Sequence, residues 1–199
     1  MSSLKAIPSD RLIPERDFDK PPILETHRLG IDFGGLRALD DFNLTLGCTE
    51  ISGLIGPNGA GKTTVFNLLT NVYTPTRGTI LLDGKDTRGK KTHQVNKMGI
   101  GRTFQNIRLF RDLTVLDNVL IGLHNETEYS LVHAAFRLPA YWKAEKTARD
   151  RALELLSIFD MQSLAHHTAG SLPYGAQRRL EIVRALATNP SLLLLDEPA

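Results

Sequence analysis

GPNGAGKTT, residues 56–64, is the stretch on which the reading of this chain turns. Its glycines and its Lys62-Thr63 pair fit the pattern G-x-x-x-x-G-K-[ST]. Such a loop acts through its backbone. Glycine accepts the conformations that turn consecutive N–H groups inward, so the amides from Gly59 through Ala60, Gly61 and Lys62 to Thr63 can donate to one polyphosphate. A helix opening at this point adds the partial positive charge of its N-terminus. The Lys62 ammonium is then expected to neutralise the outer phosphates and the Thr63 hydroxyl to ligate Mg2+, with Gly56, Pro57, Asn58 and Thr64 completing the cradle. The setting agrees, because the apolar run Ile51–Ile55 reads as a strand before the loop. After it, KTTVFNLLTNVY reads as a buried helix with Val65, Leu68, Leu69 and Val72 on one face. A glycine turn that merely joins strand to helix is the bland alternative, and the complete pattern in this context is far more specific than that.

A second stretch, SLLLLDEPA at 191–199, supplies what the loop lacks. Leu192–Leu195 read as a strand buried on both faces of a parallel sheet, and ligands gather at the carboxyl ends of such strands. There Asp196 is placed to hold Mg2+ through water and Glu197 to accept a proton from an attacking water. General-base help of this kind is worth about 10² to 10⁴ in rate.

The rest of the chain organises around these two points. Residues 1–22 mix prolines with charges and read as a loose extension. From 23 to 46, LGIDF and FNLTL, separated by Gly34-Gly35 and Asp40-Asp41, read as antiparallel strands, and TILLDG reads as another strand. Residues 106–170 read as mostly helical. Thr114 is a candidate N-cap, and Ala148, Ala152, Leu155 and Phe159 share one helix face. A further helix, QRRLEIVRALAT, ends near Asn189-Pro190. The expected fold is therefore an α/β core, residues 23–105 plus 171–199, interrupted by a helical subdomain over 106–170.

Composition narrows the function. The 199 residues are 41% hydrophobic with a net charge of +2, which creates no strong field and does not favour nucleic acid as a partner. No apolar run approaches the roughly 20 residues needed to cross a bilayer, and the N-terminus has no secretion-type apolar stretch. The single Cys48 excludes an internal disulfide and a cysteine-rich metal site.

Three further segments carry a resemblance. RTFQ at 102–105, SLPYGAQRRLEIVRAL at 171–186 and IDFGGLRALDDF at 31–42, in this order around the phosphate loop, resemble the nucleotide-binding subunits of ABC transporters. RLFRDLTVLDNVLIGLHN at 108–125 and the YG at 174–175 narrow the resemblance to the LivG-type ATP-binding subunits of branched-chain amino-acid importers. It implies a P-loop NTPase fold, with a RecA-like parallel core carrying an antiparallel β subdomain. It also implies ATP and Mg2+ as cofactors, Phe33 stacked on the adenine, and Gln105 at the Mg2+ or attacking water. Leu172 and Gly175 would belong to a signature that meets the ATP of a second ATPase subunit. Two membrane permeases would hold the chain at the cytoplasmic face of the inner membrane, with 106–119 as the docking segment, and a periplasmic solute-binding protein would act indirectly.

Pro173, Tyr174 and Ala176 depart from the commonest LSGGQ signature. Pro173 offers neither hydroxyl nor N–H, so the ATP facing it in a heterodimer is expected to turn over more slowly. The resemblance stops after Glu197, before the expected D-loop, later strands and switch histidine. The chain as written is thus expected to keep most of the nucleotide-binding chemistry, to lack the dimer-dependent switch, and to hydrolyse ATP far below a complete subunit. A non-transport ABC ATPase and a non-catalytic nucleotide-binding fragment are the competing expectations.

Overall fold

The computed structural model of the chain describes residues 20–124 and 139–196, without the side chains of 139–141. Most of the expected N-terminal extension and the expected general base Glu197 lie outside these residues. The chain divides into two compact units, Met1–Gly89 and Lys90–Ala199.

In the first unit, β1 (Leu24–Phe33) and β2 (Leu36–Leu46) pair antiparallel, with Leu24 opposite Leu46 and Phe33 opposite Leu36. Strands β3 (Arg77–Leu82) and β4 (Lys85–Asp86) extend the sheet in the order β2-β1-β3-β4. Leu24, Leu29, Ile31, Ile80 and Leu82 are buried, as are Val65, Leu68 and Leu69 of α1 (Lys62–Leu69). The antiparallel strands expected from LGIDF, FNLTL and TILLDG are therefore present.

Two expectations fail in this unit. Residues 51–55 form no strand, and Ile51 and Ile55 are 77% and 95% exposed. An apolar run satisfies the pattern of a buried strand, but a strand also needs a neighbour to take its N–H and C=O groups, which periodicity cannot supply. The helix expected through Val72 stops at Leu69. Asn71 takes a left-handed conformation (φ 51°), its amide bonds the Leu68 carbonyl at 3.0 Å, and the Val72 amide bonds the Asn67 carbonyl at 2.9 Å. This pair of bonds is a Schellman closure with asparagine in place of the usual glycine, and it leaves Val72 47% exposed.

The second unit begins with α2 (Thr92–Lys97) and β5 (Ile100–Arg102), followed by α3 (Val115–Leu123), α4 (Pro139–Ser157), α5 (Tyr174–Leu186) and β6 (Leu192–Leu194). Its core is made by α3, α4, α5 and the turns between them, with Val115, Val119, Ala152, Leu156, Leu180 and Val183 fully or almost fully buried. Thr114 caps α3 as expected: its Oγ1 accepts from the Asp117 amide at 3.1 Å, completing a capping box. Strands β5 and β6 pair in parallel, Ile100 with Leu192 and Arg102 with Leu194. Two corrections apply. Residues 106–113 are irregular rather than helical. The leucine strand is not buried on both faces: Leu194 is buried, Leu192 and Leu193 are half-buried, and Leu195 is exposed, as befits a strand paired along one edge among the described residues.

Helices α3 and α5 approach closely at Gly122. A Cβ there would lie 2.7 Å from the Arg184 carbonyl oxygen and 2.8 Å from the Ala187 Cβ. Gly122→Ala is accordingly expected to destabilise this unit by about 1–3 kcal/mol through overpacking, although alanine is the better helix former. Denaturant unfolding followed by circular dichroism checks this; an unchanged or raised midpoint contradicts the close contact.

Candidate functional site

The phosphate loop runs from Gly56 into the first turn of α1. Gly59 and Gly61 have φ of 84° and 87°, a region that side-chain-bearing residues rarely enter, and a Cβ on Gly61 would also sit 3.3 Å from the Ala38 carbonyl oxygen. The Ala60 amide donates to the Pro57 carbonyl at 3.2 Å and the Val65 amide to the Gly61 carbonyl at 2.9 Å, which closes the turn and starts the helix. Lys62 folds back over the loop, its Nζ donating to the carbonyls of Gly56 at 2.6 Å and Pro57 at 2.9 Å. With those acceptors engaged by an ammonium, the loop presents cationic and N–H character, the polarity an anion requires. Asn58 and Thr63 are exposed and Thr64 is half-buried.

Phe33 ends β1 with 43% of its surface exposed and meets Tyr73 edge-to-face, centroids 5.3 Å apart. Beside it, Asp32 accepts two bonds from Arg77, at 2.6 and 3.2 Å, and Arg77 also reaches Asp40 at 3.1 Å. The Arg77 hydrogen bond holds the Asp32 carboxyl below the usual aspartate range, aided by the charges of Arg77 and Arg37. This pairing ties β1 to β3 one residue before the aromatic side chain.

In the second unit, the parallel ladder brings two of the expected residues to one edge. Gln105 follows β5 and Asp196 follows β6, at the carboxyl ends of adjacent strands. Asp196 is 6% exposed; its carboxylate pairs with Arg102 at 3.1 Å, and its amide donates to the Thr103 hydroxyl at 3.3 Å. The Thr103 amide in turn bonds the Leu194 carbonyl at 3.0 Å. Gln105 is exposed.

The signature segment forms the start of α5. Pro173 is the N-cap and contributes no side-chain bond, while its carbonyl accepts from Ala176 and Gln177 at 2.9 and 3.0 Å. Gly175 is exposed, and a Cβ there would meet nothing within 4 Å. Leu172 lies in the helical core, its carbonyl taken by the buried Gln177 side chain at 2.7 Å. The phosphate loop and Phe33 thus belong to the first unit; Gln105, Asp196, Leu172 and Gly175 belong to the second.

The model of the ABC transporter family matches residues 39–199. The chain belongs to this family. Among curated relatives, this cassette is 44% identical to the high-affinity branched-chain amino acid transport ATP-binding protein BraF of Pseudomonas aeruginosa, and 46% identical to LivG of Escherichia coli K12. Each match spans 178 residues, 89% of this chain and 70% of the relative. A solved ATP-binding cassette of an ABC transporter in its ADP conformation superposes with a TM-score of 0.74 at 32% identity, over 90% of this chain and 70% of that one. A dimeric cassette in a post-hydrolysis state bound to ADP and Pi gives 0.72 at 28% identity, over 88% and 74%. The fold is that of an ABC ATPase within the P-loop NTPases, and the family is one of transport ATPases that bind nucleotide.

Reading the sequence missed Arg102, Tyr73 and Asn118. The Asn118 side chain is wholly buried in the cassette and braces 110–114, accepting from the Phe110 amide at 3.0 Å and donating to the carbonyls of Phe110 and Thr114 at 3.0 and 2.9 Å. A polar residue amid the apolar face of VLDNVLIGL was the available signal.

Because the Asp32 pKa is depressed in the folded state, its contribution to stability is present above the ordinary aspartate pKa and is lost as pH falls through the lowered value. Denaturation midpoints of the native chain and Asp32→Asn are expected to differ near neutral pH and to converge in acid. A gap that persists or widens at low pH contradicts the ion pair.

Proposed function

We propose that this chain is the ATP-binding and hydrolysing subunit of an ABC importer whose solute is a branched-chain amino acid. One observation carries the catalytic part: a glycine-rich loop, closed by its own lysine at the head of α1, in a chain whose family match spans 39–199. The solute rests on the names of the relatives, BraF and LivG, since none of the residues assigned a role is expected to touch it.

The loop amides from Gly59 to Thr63 and the Lys62 ammonium receive the triphosphate; Lys62 leaves the carbonyls of Gly56 and Pro57 to do so. Gly56, Pro57, Asn58, Ala60 and Thr64 frame that cradle, and Phe33 offers the adenine a half-exposed aromatic face. Base stacking of this kind is worth about 1–3 kcal/mol.

Thr63 and Asp196 each offer the kind of hard oxygen that Mg2+ takes, and this ion is usually held by one or two protein groups plus substrate phosphates, so each would serve as a ligand in this reading. Among the described residues no cluster of three or more histidine, cysteine or acidic side chains exists to hold a metal on its own. Held there, Mg2+ would supply positive charge to the phosphates. Gln105 would orient the attacking water, and Glu197 would take its proton. Gly175 and the start of α5 address the ATP of a second ATPase subunit, with Leu172 seating that segment from the core.

The functional domains are a nucleotide-binding core, 23–105 with 171–199, and a helical subdomain, 106–170, through which dimer closure reaches two permease subunits. Among the described residues no helix is long and apolar enough to cross a membrane. In this reading, which rests on the names of the relatives, two permease subunits hold the chain at the cytoplasmic face of the inner membrane and a periplasmic binding protein delivers the solute.

Three variants assembled with the permeases test this reading. Lys62→Ala is expected to weaken binding of a fluorescent ATP analogue and to lower turnover, each by ~100-fold or more. Glu197→Gln is expected to keep binding and to lose turnover by about 10²-fold or more. Phe33→Ala is expected to raise the Kd for ATP about 5- to 100-fold with little change in kcat. Unaltered binding and turnover in Lys62→Ala would refute the proposal.

A further inference from the structure

The segment carrying Gln105 is gripped by two side chains of α5 to which the ATPase reading gives no task. Arg178 spreads its guanidinium over two consecutive carbonyls, donating from Nη1 to Phe104 at 2.7 Å and from Nη2 to Gln105 at 2.6 Å. Beneath it lies Glu181, only 2% exposed. Glu181 Oε1 accepts from the amides of Phe104 at 3.4 Å and Arg108 at 3.3 Å, and Oε2 faces Arg178 Nη1 at 3.4 Å. A carboxylate this deep is costly unless it is paired and hydrogen-bonded. The amides that it accepts from lie in 104–108, and the charges of Arg178 and Arg184 on its own helix offset its own, so its place on the buried side of α5 serves the loop as well as the helix.

Geometry gives the grip its meaning. Along a strand, successive peptide units face opposite edges, so one planar fork cannot take two consecutive carbonyls unless the strand has ended. Beyond the end of β5 at Arg102, Arg178 therefore holds how the backbone of Phe104 and Gln105 is turned, and the rigidity of the fork leaves little freedom. Its guanidinium also lies 5.7 Å from the centroid of the Tyr174 ring, so the same side chain touches the signature end of α5.

We infer that Arg178 and Glu181 are positioning residues that bind the Gln105 loop to α5, so that a displacement of the signature end carries Gln105 with it. This rests on the proposed role of Gln105 at the metal or attacking water. Contact made at the signature thereby changes the placement of Gln105 in the same subunit, and neither residue need touch nucleotide.

The test uses the chain assembled with its membrane partners and two readouts, amide hydrogen exchange over 103–109 and steady-state ATP turnover. Arg178→Ala is expected to speed exchange at 104–108 by about tenfold or more while α3 and α5 keep theirs. It should lower kcat roughly ten- to a hundredfold with little change in KM for ATP. In a Gln105→Ala background the same substitution should add almost nothing, because it acts through that residue. Arg178→Lys, which keeps the charge and loses the fork, should resemble the alanine variant. Glu181→Gln, close in shape and so the safer variant to fold, should shift both readouts in the same direction by less. Unchanged exchange at 104–108, full activity in Arg178→Lys, or a fully additive loss in the double variant overturns the inference. An intact kcat in Gln105→Ala alone refutes the role given to Gln105 instead, and the exchange data still decide whether the grip exists.

Discussion

The ion pair between Arg102 and Asp196 fixes the geometry of the second unit's site, because it joins the ends of two parallel strands through side chains only 6% and 8% exposed. Two charges so far from water must satisfy one another, and the pair keeps its strength only while β5 and β6 stay in register. Thr103 reinforces the register from both sides, its amide on the Leu194 carbonyl and its hydroxyl receiving the Asp196 amide. An acid that would otherwise hang at a strand end is thereby held at one position. The same pairing means that Asp196 cannot serve a cation without sharing its carboxylate with Arg102, so arrival of a ligand and local rearrangement are linked.

The phosphate loop follows a similar logic on the first unit. Its lysine neutralises the loop's own carbonyls, which keeps an exposed glycine-rich turn in a defined shape without a ligand. Binding then becomes an exchange of partners for one ammonium. The β-sheet contributes by fixing β1 through Asp32 and Arg77, so that Phe33 projects from a strand end that is tied down rather than from a loose loop. In both units an acid at or just past a strand end is held by an arginine of the neighbouring strand, Asp32 by Arg77 beside Phe33 and Asp196 by Arg102.

How much of this the sequence discloses depends on how local the cause is. The loop at 56–64, the cap at Thr114 and the antiparallel strands are written in consecutive residues, since glycine placement, a T-x-x-D box and alternation act over a few positions. The apolar run 51–55 has a strand's pattern but forms none, because strand formation there depends on a neighbour that no local pattern names. The end of α1 is not legible from sequence because asparagine stands where glycine usually signals a left-handed stop. Within the candidate site, Gln105 and Asp196 were identifiable as motif members and share a strand-end edge. Arg102, Arg178, Glu181 and Asn118 lie inside the same telling segments, but their individual roles are not legible there, because those roles exist only once distant backbone segments are brought to them. A single acid, Glu181, on the buried side of a helix was the visible hint, and chain order alone could not say which amides it faced.

The close approach at Gly122 has a mechanical meaning. There the backbone of α3 faces the Arg184 carbonyl and the Ala187 methyl directly, with only the stem of Arg184 alongside, so little at that point can rotate or repack. A push on α3 at Gly122 therefore reaches the end of α5 with little slack, while the leucines and valines elsewhere in the contact can yield by rotamer changes. A missing side chain thus makes one stiff point in a helix pair.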